Sequence, residues 1–202
     1  LLVPTSAASS WISTDITGLS NSDVASLTTE QINALGNNIR LFSPSQISSL
    51  TNSQIATLTT TQVVALTTAQ ISSLTNTQIA VFKTDQIAKM ATDDLAALQT
   101  SQMPALTTSQ LTAMTTYQLR AFSTSQFSNL TATQIASLKS SQISHLKVQL
   151  IASLTTAQIQ ALSTQQIASF TTAGVSNFNS TQLTALQSSQ IAALSSLQIK
   201  RL

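Results

Sequence analysis

Charge is scarce in this chain: of 202 residues only 7% are Asp, Glu, Lys or Arg, against about a quarter in ordinary soluble domains. The solvent-facing surface must therefore be built from Ser, Thr, Gln and Ala. Cysteine is absent, which excludes a disulfide framework, a thiolate nucleophile and a Cys-based zinc site. With 3 Gly in all, a β-solenoid with glycine corners is also excluded. No apolar run approaches the roughly 18 residues of a membrane-spanning helix, so no membrane insertion is expected. The opening "LLVPTSAASSW" has no Met and no basic segment and does not read as an intact signal peptide; a processed chain or a fragment is expected.

Chemistry-bearing side chains are equally thin. The one histidine, His145, has no acidic residue or cysteine near it in sequence, and reads as an exposed polar residue. The acidic residues number six: Asp15, Asp23, Glu30, Asp85, Asp93 and Asp94. Asp85, Asp93 and Asp94 lie among Lys83 and Lys89 and read as a solvated patch of mixed charge, because calcium needs about six to eight oxygen ligands and no such loop is present. The calculated pI of 9.3 comes from a net charge of only +2. Arg40, Lys83, Lys89, Arg120, Lys139, Lys147, Lys200 and Arg201 are scattered, whereas phosphate binding needs clustered cations. No phosphate loop, nucleophile elbow or metalloprotease motif occurs. The chain is expected to be non-enzymatic, with no metal, no cofactor and no nucleic-acid partner.

What is present is one eight-residue word. From Phe42 to Leu202 every eighth residue is apolar, and a second apolar residue follows five later, from Ile47 to Ile199. Gln precedes that second residue in 17 of 20 octads, with Asp94, Leu150 and Gly174 as the departures. One residue out of phase, the frame continues upstream through Trp11, Leu19, Leu27 and Leu35, with Ile16, Val24 and Ile32 in the sixth position. The seven-residue "LGNNIRL" at 35–41 absorbs the slip. A repeat region over 11–202 is expected, after an N-terminal segment at 1–10.

The spacing decides the local structure. Steps of five and three are both odd, so they would fall on opposite faces of a strand. In an unbroken helix eight residues overshoot two turns by about 80°, and the stripe would circle away. The helix must restart in every octad. Thr67 with Gln70, and Thr75 with Gln78, have capping-box spacing, while Leu66 and Ile71 form a hydrophobic staple. Pro44 falls at N1, where a proline is tolerated. Six octads lack a capping side chain in the second position, at Lys83, Ala91, Gln99, Lys139, Lys147 and Gln187; there a cap displaced by one residue is one expectation. Pro104, in the seventh position, would remove a helical hydrogen bond.

Burying two side chains is worth roughly 3–6 kcal/mol per octad, whereas ordering eight residues costs at least about 8. A lone octad is unfolded, so coil must stack on coil. The expected fold is an all-α solenoid of very short helices, one per octad, with a core of Leu50, Ile55, Leu58, Val63, Leu66, Ile71, Leu74, Ile79 and their equivalents. The spacing of Phe42, Phe82 and Phe122 hints at five octads per turn. Trp11, in the first slot, would close the end of the core; Tyr117 reads as a surface residue.

Two resemblances add to this. "LTTTQVVAL", Leu58 to Leu66, is similar to the start of the repeat in TAL effectors, but their 34-residue period and base-reading loop are missing, so DNA reading does not carry over. Over Trp11 to Leu202 the Leu-Thr-Thr-x-Gln-Ile-x-x word resembles the tandem octapeptide arrays of large bacterial surface proteins labelled adhesin-like. That resemblance implies an exported structural or adhesive role at the bacterial cell surface or outside it. The expected function is an extracellular filament subunit or adhesin stalk. It would assemble head-to-tail with other copies, or with further repeats of a longer chain, through open solenoid ends. Leu1, Leu2, Val3, Trp11 and Leu202 are the candidate end contacts. The alternative is a ligand- or ice-binding solenoid using the regular Thr/Ser array.

Overall fold

The structure, a computed structural model, describes Trp11 and residues 13–202. Among these the chain is a succession of helices of four to six residues, with no strand. It is an all-α tandem repeat. By its internal contacts the chain divides into two compact units, one ending at Ala105 and one spanning Leu106–Leu202.

The octad at Leu66 shows how the helix restarts. Leu66 (φ −61°, ψ 147°) and Thr67 (φ −93°, ψ 158°) are extended, then Thr68–Ser73 is helical, and Leu74 (φ −59°, ψ 139°) is extended again. The Ile71 N–H donates to the Thr67 carbonyl at 2.9 Å and the Leu74 N–H to the Ile71 carbonyl at 3.2 Å. Two extended residues per octad thus turn the chain, and both have negative φ. That explains the scarcity of glycine: helices that end this way need no left-handed residue at the C-terminus. The one positive φ among the described residues belongs to Gly36, at 51°.

Gly36 follows Leu35 in the seven-residue unit and opens its 3-10 helix, Gly36–Leu41. The tighter helix brings Ile39 to full burial although it stands four residues after Leu35 instead of five. A second 3-10 helix, Thr100–Ala105, contains Pro104. The lost N–H therefore appears as a local tightening of the turn, and Met103 stays buried.

Within each unit a helix packs on the third helix along. In the first, Thr68–Ser73 lies on Pro44–Ser49 and Thr84–Lys89 on Thr60–Ala65. In the second, Thr156–Ala161 lies on Ala132–Ala136 and Ser180–Ala185 on Thr156–Ala161. Five octads per turn is therefore incorrect; neighbouring coils are between three and four octads apart. The phenylalanines misled because a buried first-position Phe substitutes for Leu in any coil and marks no fixed place on the turn. Leu50, Ile55, Leu58, Val63, Leu66, Ile71, Leu74 and Ile79 are all buried in the core.

Candidate functional site

The fifth-position Gln does more than cap. In the Leu66 octad the Gln70 carboxamide oxygen accepts from the Thr67 N–H at 2.8 Å, and the Gln70 backbone N–H donates to Thr67 Oγ1 at 3.3 Å. This is the reciprocal box. The other end of the same carboxamide points away from its own helix. Gln70 Nε2 donates to the carbonyls of Phe42 at 2.7 Å and Ile39 at 3.0 Å, 28 and 31 residues back.

The pattern repeats with fixed offsets. Gln78 reaches Leu50 and Ile47, and Gln86 reaches Leu58 and Ile55. In the second unit Gln158 reaches Leu130 and Phe127, and Gln190 reaches Leu162 and Ile159. A primary amide is the one uncharged side-chain group with both an acceptor and two donors on one rigid plane. It can hold its own helix start and the preceding coil at once. Burial follows: Gln70 is 1% exposed, as a satisfied amide permits.

Sequence reasoning found the capping half of this arrangement and missed the other. The signal was present in the Gln itself: a capping box admits Glu as readily, yet no Glu occupies the slot. A carboxylate could cap but could not donate to the carbonyls of the coil behind.

The octads without a capping side chain do not shift their caps. Lys83, Ala91, Lys139, Lys147 and Gln187 all remain at the N-cap in extended conformation. A lysine ammonium has no lone pair to accept with, so only the reverse half of the box forms. The Lys83 N–H donates to Gln86 Oε1 at 2.6 Å and the Lys139 N–H to Gln142 Oε1 at 2.8 Å. The Gln99 N–H likewise donates to Gln102 Oε1.

Two of the departures from Gln share one place. Helix Val148–Ala152, with buried Leu150 and Ile151, packs on Thr172–Val175. A Cβ on Gly174 would stand 2.8 Å from Ile151 Cδ1. Gly174 thus leaves room for the Ile151 side chain.

Near the start, Asp23 fills the Gln slot and closes a box with Ser20: the Ser20 N–H donates to Asp23 Oδ2 at 2.8 Å and the Asp23 N–H to Ser20 Oγ at 3.1 Å. Hydrogen bonds from Ser20 hold the Asp23 pKa below its usual value. Asp94 does not belong to a solvated patch as expected, since it is 5% exposed; Asp85 and Asp93 are exposed. Among the described residues no three His, Cys, Asp or Glu side chains gather as metal ligands. Tyr117 and His145 are on the surface, with His145 Nδ1 2.8 Å from the Ser141 carbonyl. Two open clefts are lined by Asn37, Arg40, Thr61, Val64 and Ala65, and by Thr172, Ala173, Ser176 and Arg201. Neither brings a nucleophile and a base together.

Among the candidate end contacts, Leu1, Leu2 and Val3 lie outside the described residues. Trp11 is 4% exposed and belongs with the core instead of an open surface; Leu202 is 49% exposed. Sequence reasoning also missed two residues on the last coil. Ile191 and Ile199 are 44% and 43% exposed, although the sixth position is fully buried in nearly every earlier octad.

The model of the ALTTAQ repeat family matches three times in tandem, at residues 63–92, 87–119 and 116–148. The hexapeptide itself stands at 65–70, where it supplies Leu66, the Thr67 cap and the Gln70 amide. No curated protein matches the chain.

Proposed function

We propose that the chain is a non-enzymatic structural element of the bacterial exterior, a filament subunit or adhesin stalk that is lengthened by adding coils of the same word. The observation that carries this reading is the amide that joins coil to coil: Gln70 reaches Phe42 and Ile39, and Gln158 reaches Leu130 and Phe127, in the same register. Inside each unit one coil is covered by another of the same word, whose Gln reaches the carbonyls of the coil behind. A coil thus selects its own kind. Head-to-tail contacts of this sort do not close on themselves and generate open-ended assemblies. A surface of hydroxyls and amides with little charge suits the reading, because long-range repulsion between copies is weak.

The test is sedimentation and electron microscopy of the chain over a range of concentrations. Filaments or end-joined rods are expected, and Ile191→Glu with Ile199→Glu should abolish them while leaving helicity intact. A monomer at every concentration, unchanged by the two substitutions, overturns head-to-tail assembly.

One observation favours a second reading. The third-position hydroxyls of Thr68 and Thr92 sit on helices that pack together; both residues are exposed, and neither side-chain hydroxyl has a hydrogen-bond partner among the described residues. A rank of free hydroxyls on a rigid frame could bind an ordered surface such as ice. Growth of ice crystals shaped by the chain, and lost on Thr68→Lys with Thr92→Lys, would favour this reading over assembly.

A further inference from the structure

The amide series is broken at Asp94 in a way that differs from Leu150 and Gly174. Those two are neutral, and remove the amide without adding a charge. Asp94 places an ionisable group, almost fully buried, in the slot from which Gln elsewhere donates. The register that carries Gln86 to Leu58 and Ile55 carries residue 94 to the carbonyls of Leu66 and Val63. Asp94 keeps the backward half of the box, since the Ala91 N–H hydrogen-bonds to its carboxylate. Its helix, Thr92–Ala96, has no side-chain cap, because Ala91 holds that position. An ionised carboxylate brings only lone pairs towards a carbonyl, whereas the acid has one O–H to donate.

We propose that Asp94 is a proton-operated member of the amide series. Protonated, it takes the place of Gln as donor towards the Leu66 and Val63 carbonyls; ionised, it faces them with like dipoles and weakens the seating of Thr92–Ala96 on Thr68–Ser73.

The charged surroundings agree. Burial, then the neighbouring Asp93 carboxylate, raise the Asp94 pKa, and the Ala91 hydrogen bond opposes them. Thr68–Ser73, the helix packed against it within its unit, carries no titratable group. Lys83, Asp85 and Lys89 on the preceding helix, and Asp93 on its own, are exposed. The folded pKa lies above the unfolded one, so between the two values the folded chain holds the extra proton. Stability from this group is therefore full at acid pH and is lost as pH rises through the folded value. The effect is opposite in sign to that of Asp23 and Glu30, whose pKa values are lowered.

Asp94→Gln and Asp94→Asn separate the effect from every other titration, because the remaining groups are common to all three chains. Thermal unfolding is followed by circular dichroism from pH 4 to pH 8. Asp94→Gln should melt above the parent at pH 7, by on the order of 2–4 °C, and the gap should close as the pH falls. Asp94→Asn should remove the pH-dependent part even where its shorter reach gives less stability than Gln. Exchange of the Leu95 and Ala97 amides, corrected for intrinsic pH dependence, should slow in the parent alone on acidification. A gap that is constant across the range in both variants overturns the proposal.

Discussion

Replacing Gln70 by Ala removes three hydrogen bonds at once: the one accepted from the Thr67 N–H and the two given to Phe42 and Ile39. Each is worth about 0.5–1.5 kcal/mol net, and the buried carbonyls left behind sit at the upper end of that range. The expected cost is on the order of 3 kcal/mol. Thr67→Ala removes only the part-buried cap bond from the Gln70 N–H and should cost about 1 kcal/mol. Gln70→Glu is the sharper test, since it keeps the shape and the acceptor for Thr67 but turns the donor into an acceptor aimed at two carbonyls. At neutral pH it should cost at least as much as Ala. Desolvation raises the pKa of such a carboxyl, so the cost should shrink as pH falls and the acid regains a donor. Urea unfolding gives the total, and native-state amide exchange of Ile71 and Leu74 shows whether the loss is local, as a repeat array allows. If Gln70→Ala costs no more than Thr67→Ala, the carboxamide does not join coils and the reasoning fails.

Two further predictions concern local rules. Lys83→Thr restores the missing half of a box whose other half is already formed by the Lys83 N–H and Gln86, and should raise stability by about 1 kcal/mol in the same urea assay. Gly36→Ala meets no steric neighbour, yet Gly36 has φ at 51°, where a Cβ costs about 1–2 kcal/mol. A melting temperature lowered by a few degrees is expected, and no change would mean that the seven-residue unit can find another backbone.

The sequence by itself determined the restart of the helix. An eight-residue period of apolar side chains fits neither a strand nor a continuous helix, and a cap three residues before Gln leaves one way to begin again. The buried residues followed, from Leu50 and Ile55 through Leu74 and Ile79, because a short helix has one face to bury. Local rules reach no further than the octad. They could not give the return of the chain, since nothing in Phe42 or Phe82 records which coil it will lie on. The offset of 28 to 31 residues appears only when Gln70 Nε2 meets Phe42 and Ile39 across coils. Tertiary packing likewise decided that Asp94 is buried despite two lysines nearby in sequence, and that Gly174 makes room for Ile151. Periodicity is a property of one chain segment, whereas satisfaction of a carbonyl depends on what another segment brings to it.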